Sequence, residues 1–246
     1  MPLSFGSLYH LAVNGMKSRQ LDLDAISNNL ANIHTSGYKA SRVNFQELLN
    51  ENEISGTTPV CTQVGTGQGS LQITGNPLDW AIDGPGFFAI KLPDGTKGYT
   101  RDGSFSLDKN GKIVTSAGYE LDWSGTIPAD ADQIKVDVDG TVSARVEGVW
   151  DKAGNVQLAI FTNPTGLESA GGNIWKESDS SGKATMGDPG EENYGLIQGS
   201  CIEASTVNIT DEISHMIRTQ RSFQAAARAL TTTDEMVAQA INMRQG

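Results

Sequence analysis

The sequence is poor in the residue patterns that mark enzymes and metal sites. Its two cysteines, Cys61 and Cys201, form no CxxC pair, and its three histidines form no HxxxH pair. The glycines at 65, 67 and 69 lack the third spacing of a dinucleotide-binding loop, and no helix is predicted after them. We therefore expect no catalytic residue, no cofactor and no metal ion. Two unpaired thiols are expected, with a disulfide between them as the alternative.

Long apolar runs are also missing. No run approaches the ~20 residues that a transmembrane helix needs, and the mean hydropathy is −0.31. The opening, MPLSFGSLYHLAVNGMKSRQ, has no basic segment before its apolar stretch and no evident small-residue cleavage site. Such a start is a poor secretory signal. We expect neither a transmembrane segment nor a cleaved signal peptide.

Positive charge is scarce, and the acidic excess is concentrated in the middle of the chain. The net charge is −11, and residues 51–206 carry ten basic and twenty-two acidic side chains. Residues 1–50 carry four basic and three acidic side chains, and residues 207–246 carry four of each. Nucleic acid is not expected as a partner, because binding it requires clustered Lys and Arg. The nearly neutral ends can pack against copies of themselves with little repulsion.

Both ends carry an apolar stripe with helical spacing. The positions alternate in steps of four and three, which places them on one side of an α-helix and favours lengthwise packing. The N-terminal stripe consists of Phe5, Tyr9, Ala12, Met16, Arg19, Leu23, Ile26, Leu30 and Ile33. The C-terminal stripe consists of Ile209, Ile213, Met216, Gln220, Phe223, Ala227, Leu230, Asp234, Val237 and Ile241. At 1.5 Å per residue the two helices would be ~43 and ~55 Å long.

A modest β-domain cannot cover two helices of this length, so we expect them to pack on each other and on copies of the chain. Arg19, Gln220 and Asp234 interrupt the stripes, and a polar residue in such a position can fix the register of packed helices. The alternative is an ordinary amphipathic helix at each end, packed on its own globular core. The expected assembly interface comprises Phe5, Ala12, Met16, Leu23, Ile26, Leu30, Ile33, Ile213, Met216, Ile217, Phe223, Leu230, Val237 and Ile241.

The middle of the chain changes to the period-two alternation of β-strands. The N-terminal helix is predicted to end near Asn32, and residues 50–69 have the composition of an extended arm. From residue 70, short apolar strands alternate with turns every ~8–12 residues, which is typical of a compact antiparallel β-domain. The predicted turns include residues 93–96, 108–111, 139–140 and 153–155.

Two further segments are predicted from their composition. Residues 162–195 are rich in Gly, Ser, Asn and Pro and are predicted to be irregular. Asn208 or Thr210 is the predicted N-cap of the final helix, with Asp211 and Glu212 in its first turn.

The predicted fold class is α+β. Long N- and C-terminal helices pack as a coiled-coil-like pair, and an antiparallel β-domain is inserted between them. The predicted parts are 1–49, the N-terminal helix and turn; 50–69, the extended arm; 70–200, the β-rich domain; and 201–246, the returning arm and C-terminal helix.

Several motifs along the chain occur together, in the same order, in one known family. They are NNLANIHTSGYK (28–39), LDWAI (78–82), GFF (86–88), YTRDGSF (99–105), EASTVN (203–208) and IRTQRSF (217–223). This set closely resembles the bacterial flagellar rod and hook proteins. Within that family, IPAD (127–130) and FTNP (161–164) are most similar to the distal-rod branch. The proximal-rod branch, which has a similar architecture, is the alternative.

The resemblance implies a non-enzymatic structural subunit of the flagellar basal-body rod. The parts 1–49 and 201–246 would form the inner tube of a helical polymer, a drive shaft that transmits torque, and 70–200 the outer layer. The implied partners are copies of the chain, other rod and hook axial proteins, and the flagellar type III export machinery. The implied location is the basal body in the periplasm. The alternative function is a secreted β-rich carbohydrate-binding module or hydrolase oligomerised through its helices.

The first motif also predicts a helix-terminating turn. Asn28, Asn29 and Asn32 can bond backbone groups where the helix ends. Gly37, followed by Tyr38, permits the positive φ that turns the chain back.

Overall fold

The computed structural model describes residues 5–50, 53–65 and 67–245. Within these ranges it describes the side chains other than those of 5–8, 10–11, 45–50, 53–64, 240 and 244–245. The chain divides into two compact units. Unit 1 consists of Met1–Ile33, Ala40–Gly65 and Val207–Gly246, and unit 2 consists of His34–Lys39 and Thr66–Thr206. The turn 34–39 therefore belongs to the unit that the middle of the chain forms.

Unit 1 contains two long helices and a β-hairpin. Helix α1 covers Phe5–Ala31 and helix α2 covers Ile209–Gln245. Strands β1, Ser41–Asn50, and β2, Glu53–Val64, pair in the antiparallel direction. Part of the segment predicted as an extended arm is thus a hydrogen-bonded strand.

Local polar contacts explain where the two helices begin and end. The Asn32 backbone N–H and side-chain amide both donate to the Asn28 carbonyl oxygen, at 3.2 and 2.9 Å, so α1 ends next to the predicted residue. The Asn208 side-chain oxygen accepts a hydrogen bond from the Thr210 backbone N–H at 3.0 Å. Asn208 is therefore the N-cap of α2. Asp211 and Glu212 lie in the first turn, where the helix dipole favours negative charge.

Unit 2 is built from short antiparallel strands and one 3₁₀ turn, Pro164–Gly166. The strands are β3 Leu71–Ile73, β4 Trp80–Asp83, β5 Phe87–Lys91, β6 Lys97–Thr100, β7 Phe105–Leu107, β8 Ile113–Thr115, β9 Glu120–Leu121, β10 Ser124–Gly125, β11 Gln133–Val136, β12 Thr141–Val146, β13 Val149–Asn155, β14 Leu158–Ile160, β15 Glu168–Gly171, β16 Ile174–Lys176, β17 Thr185–Gly187, β18 Leu196–Gly199 and β19 Cys201–Glu203.

These strands form two larger sheets and two small ones. The largest sheet follows the order β15-β16-β6-β5-β9-β8-β7, with β14 and β17 attached through β5. A four-stranded sheet has the order β10-β13-β12-β11. The returning strands β18 and β19 pair with the early strands β4 and β3, respectively. The end of unit 2 is therefore bonded to its beginning.

A continuous apolar core fills unit 2. Trp80, Phe88 and Phe105 are buried together, with ring centroids 5.3 Å apart for Trp80–Phe105 and 5.2 Å apart for Phe88–Phe105. Both pairs are edge-to-face, the arrangement that the charge distribution of aromatic rings favours. Ile82 and Ile90, on β4 and β5, are fully buried in the same cluster.

Three predicted turns are confirmed and one is wrong. Strands pair on either side of the turns at 93–96, 108–111 and 139–140. The predicted turn at 153–155 lies instead inside β13. The chain reverses earlier, at Glu147 and Gly148, which have φ values of 51° and 87°. Two consecutive positive φ values suit the twist of a tight hairpin and fix the turn there.

The segment predicted as irregular, 162–195, contains regular structure. Strands β15, β16 and β17 lie within it. Gly171, Gly172 and Asn173 have positive φ values of 85°, 58° and 62°, and they form the tight connection between β15 and β16. Their Gly and Asn content, interpreted as a sign of irregularity, is what a short hairpin requires.

The α+β class is confirmed, with a β-rich unit and one long helix near each end of the chain. The coiled-coil-like pairing stays a prediction. Neither helix, over the residues that the structure describes, is apolar enough along its length to span a bilayer. Cys201 is buried and unpaired in β19. The Cys61 side chain lies outside the described part of the chain.

Candidate functional site

Helices α1 and α2 contact each other through polar side chains. The Thr219 hydroxyl donates to Asp22 Oδ2 at 2.8 Å, and the Asn29 amide donates to Glu212 Oε1 at 3.1 Å. All four residues are buried. The later residue of α1 pairs with the earlier residue of α2, so the helices run antiparallel. Buried polar pairs of this kind fix the register between two helices, because a shift would leave each group without its partner.

The Asn29 side chain also joins α1 to the hairpin of unit 1. Its oxygen accepts the Ser41 backbone N–H, and its nitrogen donates to the Ser41 carbonyl oxygen, both at 2.9 Å. With Glu212 as the third partner group, both the oxygen and the nitrogen of the Asn29 carboxamide are hydrogen-bonded, and the residue is only 1% exposed. One residue of the predicted turn thus links three elements.

The predicted interface residues lie beside this polar contact. Ile26 is buried between the polar positions of α1. Three residues of α2 are exposed, Ile213 at 43%, Ile217 at 47% and Ile241 at 52%. The others are half-buried: Ala12, Met16, Leu23, Leu30, Ile33, Met216, Phe223, Leu230 and Val237. The Phe5 side chain lies outside the described residues.

The polar contact and the apolar stripes are offset by one residue on both helices. Asp22 precedes the stripe residue Leu23, and Glu212 precedes Ile213. One residue corresponds to a rotation of about 100° around a helix. The contact face of α1 therefore overlaps its stripe at Ile26, whereas other stripe residues, such as Tyr9 on α1 and Ile213 on α2, remain exposed.

Sequence reasoning missed the residues that make the contact. Asp22 and Asn29 are seven residues apart, as are Glu212 and Thr219, so each pair lies on one helix face. That spacing was the available signal. The prediction considered polar residues only where they interrupt the stripes, at Arg19, Gln220 and Asp234, and these three are exposed.

The turn after α1 belongs to unit 2 and depends on glycine. Gly37 has the predicted positive φ, 65°, and its N–H donates to the Glu203 carbonyl oxygen at 2.7 Å. A Cβ at this position would lie 2.4 Å from the Arg101 carbonyl carbon. The Tyr38 carbonyl oxygen accepts the Thr206 N–H at 3.0 Å. The turn is thus packed against both an early loop and the returning end of unit 2.

A buried ionic cluster lies next to this turn. Lys39 Nζ is 2.5 Å from Glu203 Oε1, and Arg101 Nη1 is 3.4 Å from Glu203 Oε2. The Glu203 side chain has 0% exposure. Its Oε1 also accepts the Gly69 N–H at 2.7 Å, and Lys39 Nζ donates to the Gly67 carbonyl oxygen at 2.7 Å. Burial lowers the pKa of Lys39, and the hydrogen bond to Glu203 opposes that shift.

Arg101 is held on two further sides. Its Nη2 donates to the Gly84 carbonyl oxygen at 2.8 Å, and its guanidinium carbon lies 5.2 Å from the centre of the Phe87 ring. A cation over an aromatic face is attracted by the negative charge of that face. We define the neck as residues 36–39, 67–70 and 203–206 together with Arg101, which these contacts join within unit 2.

No group of three His, Cys, Asp or Glu side chains that could hold a metal ion lies among the residues that the structure describes. The polar clusters at the helix contact and at the neck are occupied by contacts within the protein. These contacts hold segments of the protein together.

Three family models match the chain, and together they define its class. The model described as "Flagella basal body rod protein" matches residues 10–39. That of the "Flagellar hook protein FlgE/F/G D1 domain" matches residues 81–144. That of the "Flagellar basal body rod FlgEFG protein C-terminal" matches residues 198–243. Each matched segment supplies one member of the buried cluster, namely Lys39, Arg101 and Glu203. The chain is of the flagellar rod and hook class.

Curated relatives identify the branch. The flagellar basal-body rod protein FlgG of Bacillus subtilis is 37% identical, covering 97% of this chain and 99% of its own length. FlgG of Buchnera aphidicola subsp. Schizaphis graminum is also 37% identical, over 92% of this chain and 95% of its own. The flagellar hook-basal body complex protein FlhP of B. subtilis is 30% identical over 89% and 92%.

The chain belongs to the flagellar basal-body rod protein family and is FlgG-like. The predicted resemblance to the distal-rod branch is confirmed. The chain is a structural subunit of the basal-body rod, as predicted, and no comparison supports a carbohydrate-binding module or a hydrolase.

Proposed function

We propose that this rod subunit polymerises through its terminal helices into a tubular drive shaft that transmits torque. Copies of the chain and other axial flagellar proteins are its partners in that polymer. The parts 1–49 and 201–246 form the inner tube, and 70–200 form the outer layer.

The observation that carries the proposal is a row of apolar residues along one face of α2. Ile209, Ile213 and Ile217 follow one another at intervals of four residues and are 50%, 43% and 47% exposed. Water-exposed isoleucines in a row are unfavourable, and burying them against another helix removes the cost. The contact between α1 and α2 uses a different face of α2, so this row is available to a second copy.

Two properties of unit 1 support self-association. The charges of the helical ends nearly balance, so copies can approach without strong repulsion. The polar pairs Asp22–Thr219 and Asn29–Glu212 hold the helices in one register. A fixed register presents the same surface on every copy, which a regular polymer requires.

The proposal is tested by introducing a charge into the row. We expect Ile217→Asp to abolish polymerisation and motility, because an aspartate would be buried without a partner in the interface. Ser222→Asp is the matched control, because it places the same charge on the same helix at an exposed site. Ser222 follows Ile213 by nine residues and therefore lies on the opposite side of the helix from it. Electron microscopy of purified subunits and a motility assay provide the measurements. Normal assembly of Ile217→Asp, or equal loss in both variants, would contradict the proposal.

Export and location form a separate part of the proposal. We infer that the subunit leaves the cytoplasm through the flagellar type III apparatus, without signal cleavage, and reaches the basal body in the periplasm. The support is membership of the flagellar basal-body rod protein family. Cell fractionation of a strain that lacks the export apparatus is the test. Envelope localisation of the intact chain in that strain would contradict the inference.

A further inference from the structure

The neck joins parts of unit 2 that are far apart in the sequence. Lys39 and Glu203 are 164 residues apart, and Arg101 and Glu203 are 102 residues apart. Glu203 is the last residue of β19, three residues before unit 2 ends. Contacts of such separation form late, because the entropy of closing the intervening loop must first be offset.

Before Glu203 is in place, the remaining members of the cluster oppose each other. Lys39 and Arg101 are both cationic and nearly buried, and burial, with a smaller contribution from the positive charge of Arg101, lowers the pKa of Lys39. Two buried like charges without a counter-ion are strongly unfavourable. The turn 34–39 therefore cannot pack against the rest of unit 2 with Lys39 charged until the Glu203 carboxylate, at the end of β19, is in place.

We propose that Glu203 is a latch that closes last in the folding of unit 2 and docks the turn 34–39 onto a completed β-unit. Its carboxylate binds Lys39, Arg101 and the Gly69 N–H, and its carbonyl oxygen binds the Gly37 N–H. The segments that enter and leave unit 2 are thus held together by a residue near its end. The proposal holds whether or not the subunit polymerises.

The order of events is tested by pulse-labelling hydrogen exchange during refolding of the full chain. We expect the amides of Phe88 and Ala89, in the central sheet, to gain protection first. The Gly37 amide should gain protection together with β19 or after it. Protection of Gly37 before β19, or before the central sheet, would overturn the proposal.

The role of the charge is tested in the native state with Glu203→Gln, which keeps the shape of the side chain. We expect exchange at Gly37 to accelerate about 100-fold or more, since a broken buried ion pair is strongly destabilising, while Phe88 and Ala89 change far less. Glu120→Gln is the control, because Glu120 forms its ion pairs with Lys91 and Lys112 at the surface. This variant should leave Gly37 unchanged.

If Glu203→Gln unfolds all of unit 2, the double variant Lys39→Met, Glu203→Gln tests whether the unpaired cations cause the unfolding. Removing one of the two unpaired cations should restore the fold and slow the exchange at Gly37 at least tenfold relative to Glu203→Gln. No restoration would overturn the proposal. Unchanged exchange at Gly37 in Glu203→Gln, or the same acceleration in Glu120→Gln, would overturn it equally.

Discussion

Gly37 is a residue of the neck that tolerates little change. It combines a positive φ with backbone atoms of Arg101 where a Cβ would lie. We expect Gly37→Ala to lower the free energy of unfolding by about 3 kcal/mol or more, because left-handed strain and a clash add together. Urea unfolding followed by tryptophan fluorescence measures this loss.

Gly95→Ala is the matched control for that substitution. Gly95 also has a positive φ, 80°, but no atom lies within 4 Å of a Cβ built there. The expected cost is the strain alone, about 1–2 kcal/mol. Equal losses of unfolding free energy in the two variants would show that the close approach of Gly37 to Arg101 does not contribute to the cost of Gly37→Ala.

Tyr99 makes the stability of unit 2 depend on pH in the alkaline range. Burial, reinforced by the hydrogen bond that its hydroxyl donates to Glu177, raises the pKa of Tyr99 above the usual 10. A raised pKa in the folded state contributes stability that is complete below about pH 10 and declines as pH rises further, since the unfolded chain ionises first. We expect wild-type protein to lose more stability than Tyr99→Phe between about pH 9 and pH 11. Parallel losses, measured by urea unfolding at both values, would exclude this contribution.

At the scale of elements, the contact between α1 and α2 depends on coupled polar pairs. Thr219→Val leaves Asp22 without its hydroxyl donor, and Asp22→Ala leaves the Thr219 hydroxyl without its acceptor. We expect each change to cost about 1–3 kcal/mol, and the double variant to cost less than the sum. Helical circular dichroism during thermal unfolding provides the values. Additive losses would mean that the two side chains do not interact in solution.

The sequence predicted the elements better than their contacts. The two helices and the hairpins around 93–96, 108–111 and 139–140 follow from local signals, since caps, periodicity and turn residues act within a few positions. The face that α1 presents to α2 did not follow. Hydrophobic periodicity locates an amphipathic stripe, but it cannot distinguish a partner in the same chain from one in another copy.

The turn at Glu147-Gly148 shows a limit of the same kind. Turn composition pointed to 153–155, where Gly154 lies in β13 beside Trp123 and the Ser124 backbone. A Cβ on Gly154 would lie 2.2 Å from the Ser124 carbonyl oxygen. Glycine is required there for close packing between neighbouring strands, and composition alone does not separate that need from a turn.

At the scale of the whole molecule, the charge is distributed unevenly in a way that affects assembly. Residues 51–206 hold an excess of acidic side chains, while the helical ends nearly balance. Copies brought together through the helices accumulate acidic middles, and salt screens that repulsion. We expect polymerisation to accelerate when ionic strength rises from about 10 mM to about 150 mM, where the Debye length falls to about 8 Å. Light scattering at fixed subunit concentration measures the rate, and a slower rate in salt would point to an interface held by ion pairs.

The neck is the part of the molecule that single-sequence reasoning could not provide. The motifs that contain Lys39, Arg101 and Glu203 were visible and marked the family, but nothing in them showed that the three side chains meet. Charged residues are mostly found at the protein surface, and a sequence does not show which of them lie close together in the fold. Only the fold shows that these three are buried together.

A closed neck also makes unit 2 replaceable. Residues 67–70 and 203–206 leave and return through one bonded cluster, so the two ends of the chain between them lie close together, and Arg101 is the member of the cluster that this chain supplies. Domains whose ends lie close together tolerate insertion into other proteins and exchange for other domains. A graft that keeps Gly37, Lys39, Arg101 and Glu203 in place could carry a different strand complement on the same pair of helices. Diversification of such a chain can therefore proceed by swapping its middle while its ends stay constant.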